Sequence, residues 1–251
     1  MENGFYVGIS RQIALQSQMD IIANNVANVS TPGYRAQNLV FSEYLTKAQN
    51  NGSSLDNTDD RLSMVQQYGQ FQTTTQGPMQ QTGNPLDVAL NGPGYMGVQT
   101  AQGIQYTRAG NFQINASGTL VTGSGQPVAG KSGGSIVIPR DAHEVKFASD
   151  GTVSTDKGAI GQLMVVEFAN EQDLNPAGNG LYELGPNATS TPGPALNTQV
   201  NQGLLEGSNV QPITEMTRMI GVLRNFQTTQ NLLQAENDRE SGMIQQLSKV
   251  I

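Results

Sequence analysis

Residues 209–251 read NVQPITEMTRMIGVLRNFQTTQNLLQAENDRESGMIQQLSKVI, and the organisation of the rest of the chain follows from this stretch. Asn209 is placed to cap a helix whose first turn tolerates Pro212, because a proline lacks only an amide that has no partner there. Downstream, alternating steps of three and four run through Met216, Met219, Leu223, Phe226, Gln230, Leu233, Asn237, Glu240, Ile244, Leu247 and Ile251. That spacing predicts a helix with one seam, apolar at both ends and polar in the middle. A helix of ~40 residues spans ~60 Å, more than a domain of this size covers along its length. The seam therefore needs a partner.

A second seam lies at the other end of the chain. Leu15, Met19, Ile22, Val26 and Val29 recur with the same alternation over 3–29, and Thr31-Pro32-Gly33 ends the pattern. The two helices can pair with each other, but Ile9, Ile13, Ile213 and Ile220 lie off both seams. Such flanking residues imply that further neighbours complete the helical core.

Between the helices the character changes. From Gln76 to Gln202, short runs of β-formers are broken by Gly, Pro, Asn and Asp about every ten residues. The predicted strands are 86–90, 95–100, 105–107, 112–114, 119–121, 136–138, 145–148, 152–154, 162–168 and 181–184, with Asp150-Gly151 as a hairpin turn. Lys47–Asp60 is polar and reads as a mobile connection. The expected fold is α+β: a central all-β domain inserted between N- and C-terminal helices that form a coiled-coil-like assembly core. The expected boundaries are 1–34 and 207–251 for the helical part, 35–75 for an extended connecting segment and 76–206 for the β-domain.

Composition narrows the function. The net charge of -7 comes without a cluster of Lys or Arg, so neither nucleic acid nor an anionic membrane is an expected partner. No cysteine is present, which removes thiol nucleophiles and thiolate metal sites. Polar residues interrupt the first twenty-five positions, so neither a signal peptide nor a membrane span is expected there.

Two glycine patterns resemble nucleotide-binding motifs. Gly125-Gln126-Pro127-Val128-Ala129-Gly130-Lys131-Ser132 has the spacing of a phosphate loop, but Gly133-Gly134 and a strand follow where a helix is required. Gly92-Pro93-Gly94-Tyr95-Met96-Gly97 runs into a β-type stretch, so both read as turns. The single histidine, His143, has no cysteine or second histidine to build a zinc site or a triad with, and reads as a surface-loop residue. Asp141, Glu144, Asp150 and Asp156 fall in turn-like segments where Asp bonds the backbone. Met216 and Met219 read as helix core rather than a ligand surface. Catalysis, a cofactor and a metal are therefore not expected.

The most unusual segment is Ala23-Asn24-Asn25-Val26-Ala27-Asn28-Val29-Ser30-Thr31-Pro32-Gly33-Tyr34. Asparagine is a poor helix former, and here it either caps the helix or bonds backbone groups of its own or a neighbouring chain. This segment resembles the closing pattern of the N-terminal helix in the flagellar rod and hook axial proteins. Asn84–Gly92, Tyr106–Phe112 and Leu205–Val210 resemble the same family, so the likeness covers both ends and the middle. Length and the central β-domain look most like the proximal-rod members, with distal-rod members as the alternative of equal architecture.

The resemblance implies a structural subunit in a helical tube crossing the periplasm, with other copies and other rod proteins as partners. It also implies passage through the flagellar type III export apparatus without a cleaved signal, and no membrane insertion. Phe5 and Ile9 fit a loose export-gate pattern, with ordinary helix core as the other reading. Asn24, Asn25, Asn28, Gly33 and Tyr34 carry over as assembly determinants together with the apolar C-terminal seam. A soluble module that binds through its β-domain is the rival class.

Overall fold

A computed structural model describes residues 2–47, 61–142 and 144–248, with side chains described over 5–42, 69–142, 144–239, 241–243 and 245. The chain forms two compact units, one of Met1–Ala27, Gln37–Phe71 and Gln211–Ile251, the other of Asn28–Ala36 and Gln72–Val210. The order helix, β-region, helix is the α+β arrangement expected. The division places 28–36 with the β-unit and 37–71 with the helices.

In the helical unit, α1 spans Glu2–Ala27 and α2 spans Pro212–Ser248. They run antiparallel, since Asn25 meets Glu215 while a Cβ on Gly8 would stand 2.6 Å from Leu233 Cδ2. Leu15, Ile22 and Val222 are the buried core of the pair, with Met19, Val26, Met219 and Phe226 packed around them. The α1 seam holds from Leu15 to Val26, but the helix ends at Ala27, so Val29 lies in the turn that follows rather than on the seam, and the α2 seam shifts by one position at alternate steps. Glu215, Val222 and Thr229 face inward with Met219, Phe226 and Leu233, whereas Met216 and Leu223 are 53% and 44% exposed, and Gln230 and Asn237 are exposed too. The physical reason is that α2 is apolar on two adjacent flanks, and a polar pair, Asn25 with Glu215, chooses between them. The side chains of Glu240, Ile244 and Leu247 lie outside the described residues.

Strands β1 (Gln37–Lys47) and β2 (Arg61–Gln72) pair in a sheet of their own, and β1 lies along α1. The segment read as an extended connection thus contains long strands. Apart from Lys47, the stretch expected to be mobile lies outside the described residues, as does His143.

The β-unit holds β3 (Met79–Gln81), β4 (Val88–Asn91), β5 (Tyr95–Thr100), β6 (Gly103–Thr107), β7 (Gln113–Ile114), β8 (Leu120–Val121), β9 (Val145–Phe147), β10 (Thr152–Thr155), β11 (Gly158–Gln162), β12 (Val165–Glu167), β13 (Leu174–Gly178), β14 (Leu181–Leu184), β15 (Gly193–Pro194), β16 (Gln199–Gln202) and β17 (Leu204–Glu206). Its largest sheet has the order β13-β14-β6-β5-β12-β15, beside a three-stranded sheet β11-β10-β9 and the pairs β16-β4, β17-β3 and β7-β8. Asp150-Gly151 turns the chain from β9 into β10, with Gly151 at φ 83° and the Asp150 carboxylate accepting from Thr152 N and Oγ1. Val88, Leu90, Met96, Phe112, Leu120, Val128, Leu163 and Val153 form the centre of one core. A second core is aromatic, with Tyr95, Tyr106, Phe168 and Tyr182 meeting edge to face at centroid distances of 4.9–5.8 Å.

Two expectations need correction. The predicted strand 162–168 is split, because Leu163 N donates to Gly151 O and Met164 N to Ala129 O, with Leu163 opposite Gly130 in an isolated bridge. At 136–138 only Val137 makes a bridge, to Thr119, while Ile136 and Ile138 insert into the core. In the phosphate-loop look-alike, Gly133 N donates to Gly130 O and Gly130 N to Gly134 O, so Lys131-Ser132 sits at the tip of a β-turn rather than at a helix start.

Candidate assembly site

Within the helical unit, the buried amide of Asn25 clamps the backbone where β1 begins. Its Nδ2 donates to Gln37 O at 2.9 Å and its Oδ1 accepts from Gln37 N at 2.9 Å. The same Nδ2 reaches Glu215 Oε2 at 3.3 Å, and Glu215 Oε1 accepts from Arg218 Nη1 at 2.9 Å. Glu215 lies in the first turn of α2, where a negative charge is favoured by the exposed amides and the helix dipole. Of the two readings open for these asparagines, Asn25 takes the backbone-bonding one, within its own chain.

On the outer flank of α2, Ile213, Met216, Ile220 and Leu223 form an exposed apolar stripe, with Ile213 at 81%. On α1, Tyr6 and Ile13 are exposed, while Phe5 and Ile9 are half-buried and Asn24 is exposed. Of the described seam residues, Leu15, Met19, Ile22, Val26, Met219, Phe226 and Leu233 are thus brought inward, and Met216 and Leu223 are left outside. Among the described residues, no helix is long and apolar enough to cross a membrane, and no group of three acidic or histidine side chains is placed to hold a metal.

Within the β-unit, the remaining motif residues build a polar hub. Asn28 O and Oδ1 accept from Thr31 N and Oγ1, both at 3.1 Å, which starts a turn that brings Gly33 N to Glu206 O at 2.8 Å. Gly33 has φ 68°, and a Cβ there would stand 2.4 Å from the carbonyl carbon of Arg108. Only glycine meets both demands. Tyr34 is buried and its carbonyl accepts from Asn209 N.

Asn209 does not cap α2, which begins at Pro212. Its Oδ1 accepts from Ala36 N at 2.7 Å, and its Nδ2 donates to Thr73 O and Thr75 O, each at 2.8 Å.

At the centre, Glu206 is held between two arginines. Its Oε2 accepts from Arg108 Nη1 at 3.1 Å, its Oε1 lies 3.2 Å from Arg35 Nη2, and Gly77 N donates to Oε1 at 3.0 Å. Arg35 Nη1 also donates to Thr75 O, and Arg108 Nη2 donates to Gly92 O at 2.6 Å. The Arg108 guanidinium stacks over Tyr95, 5.0 Å from the ring centre, and Tyr95 Oη donates to Glu171 Oε2 at 2.9 Å. Burial, and then the Glu171 charge, push the Tyr95 hydroxyl well above the usual tyrosine range. Sequence reasoning missed Arg35, Arg108 and Glu206. The available signal was charge scarcity, since only 13% of the chain is charged and these three sit among glycines and apolar residues.

Terminal helices that pair with each other, and a chain middle that folds as a separate β-unit, define a structural subunit of the helix-ended type. Three family models match: "Flagella basal body rod protein" over residues 5–35, "Flagellar hook protein FlgE/F/G D1 domain" over 89–155, and "Flagellar basal body rod FlgEFG protein C-terminal" over 201–246. The flagellar basal-body rod protein FlgF of Caulobacter vibrioides is 35% identical over 251 residues, covering 100% of both chains. FlgG of Bacillus subtilis is 34% identical, covering 95% of this chain and 96% of its own, and FlgF of Escherichia coli is 32% identical over 99% of each. The chain belongs to the flagellar basal-body rod protein family.

Proposed function

We propose that the chain is a structural, non-enzymatic subunit of the proximal rod in the bacterial flagellar basal body. Its terminal helices assemble with other copies and with other rod proteins into the axial tube that transmits torque and serves as export channel. The observation that carries this reading is the exposed stripe Ile213, Met216, Ile220 and Leu223 on a helix whose adjacent flank is already packed. Full covering of such a side chain contributes about 1.5–3 kcal/mol, so four of them in one row favour a neighbour over water. The chain reaches the growing rod through the flagellar type III export apparatus without a cleaved signal, and Phe5 and Ile9 in the first turns of α1 are the residues offered to it.

The distal-rod reading is kept because FlgG of Bacillus subtilis is nearly as similar as FlgF of Caulobacter vibrioides. The match to FlgF of Caulobacter vibrioides over the whole of both chains favours the proximal one. Deleting 213–251 in the cell is expected to abolish rod assembly and swimming while the purified β-unit stays folded. Retained swimming sinks the proposal. Cross-links from α2 in isolated basal bodies separate the two rod positions by the identity of the neighbour they capture.

A further inference from the structure

The chain passes between its two units after Ala27, Ala36, Phe71 and Val210. On the β-unit side these passages begin or end in three segments, 28–36, 72–77 and 206–210. The three are tied to one another by Glu206 and Asn209, through Gly33, Arg35 and Ala36 in the first and Thr73, Thr75 and Gly77 in the second.

The charge arrangement at this tie is unusual for a device of simple stability. Two guanidinium groups and one carboxylate are 1–2% exposed, leaving one positive charge uncompensated within the triad. Arg35 Nε and Arg108 Nε have no hydrogen-bond partner, and Arg35 Nη2 is near Glu206 but poorly aligned with it. A buried triad of this kind is no more stable than apolar side chains of similar volume, yet removing one member is costly. What it adds is selectivity: an apolar filling tolerates sliding, whereas a carboxylate hydrogen-bonded to one guanidinium group and one amide and ion-paired with a second guanidinium does not.

We propose that Glu206, Arg35 and Arg108 are positioning residues for assembly. They form a buried latch that fixes the three segments leading into the helical unit in one arrangement, while the β-core is held by its own apolar residues. The assembly part of this statement rests on the rod reading above.

The test compares two variants of the full chain by hydrogen exchange, thermal unfolding and swimming of cells whose own copy is replaced. Glu206→Gln keeps the shape and strands two buried cations. Exchange in 28–36 and 206–210 is expected to rise about a hundredfold while 88–200 stays protected. The triple variant Arg35→Met, Glu206→Leu, Arg108→Met removes all three charges. It is expected to unfold at the wild-type temperature or above, keep fast exchange in 28–36, and fail to swim.

Unchanged exchange in Glu206→Gln, loss of protection across the whole β-unit, a triple variant that does not fold, or one that swims normally would each overturn the latch. If cells lacking the chain altogether swim normally, the rod reading fails instead, and the exchange arm still decides the latch.

Discussion

The β-unit and the helical unit satisfy their apolar surface in opposite ways. In the β-unit Val88, Leu90, Met96, Leu120, Val128 and Val153 are completely buried, and the aromatic cluster closes a second core beside them. In the helical unit a single seam is filled by Leu15, Ile22 and Val222, and the next flank of α2 stands in water. Lengths add to the contrast: α1 has 26 residues and α2 has 37, so about 39 Å of one helix faces about 55 Å of the other. A unit that closes its own core is independent of its surroundings, while one that covers half of each helix depends on what lies beside it. The contrast extends to polar groups, since a buried carboxylate fastens each unit at a different place, Glu206 in the β-unit and Glu215 in the helical unit.

The sharpest way to break the β-unit alone is Gly33→Val. It forces a β-branched residue into the left-handed region against the backbone of Arg108, and a loss of more than about 4 kcal/mol is expected in urea unfolding followed by tyrosine near-ultraviolet dichroism. The α1–α2 pair is attacked by Val222→Asp, which puts an unpaired charge on the filled seam. About 3 kcal/mol or more should be lost from the helical signal, with the β-unit unaffected. Asn25→Ala removes both bonds to Gln37 and the contact with Glu215, and about 1–3 kcal/mol is expected by the same readout.

Alkali separates the units by a different principle. Burial raises the hydroxyl of Tyr95 above its ordinary value, and burial does the same to Tyr106 and Tyr182. A group whose pKa is raised on folding contributes fully below its unfolded pKa and loses that contribution as pH climbs past it. The β-unit should therefore lose stability above pH ~10, ahead of the helical pair. A melting series from pH 8 to 12, read at helical and tyrosine wavelengths, checks the order. The smallest expected effect on the isolated chain is Leu223→Asp, within about 0.5 kcal/mol because this side chain is already half in water. Its consequence is failure to assemble, and the pair Val222 and Leu223 thus separates folding from assembly at adjacent positions.

Much of this was legible in the residues and some was not, for physical reasons. Period and punctuation disclosed both helices, the β-region and strands such as Tyr95–Thr100 and Leu181–Leu184, because these carry local signals. The α2 register was misread at Met216 and Leu223 because apolar content alone cannot choose between two apolar flanks. The choice is made by Asn25, distant in sequence, which accommodates Glu215. Strand β1 was missed because Leu39-Val40-Phe41 and Tyr44-Leu45 are runs rather than alternations, and β2 because Leu62, Met64, Val65, Tyr68 and Phe71 keep no period of two. The hub was invisible for a similar reason, since Arg35, Arg108 and Glu206 become a set only when the fold brings three segments together. Asn209 read locally as a helix cap, but a tertiary demand for donors and acceptors at Ala36, Thr73 and Thr75 won.

Peptide-resolved hydrogen exchange on the purified full chain tests the central claim most directly. The account predicts strong protection over 28–36 and 72–210, weaker protection over 2–27, and the fastest helical exchange toward the C-terminal half of α2. Uniform protection through both helices at the level of the β-unit would contradict it, because the helices would then be complete without neighbours.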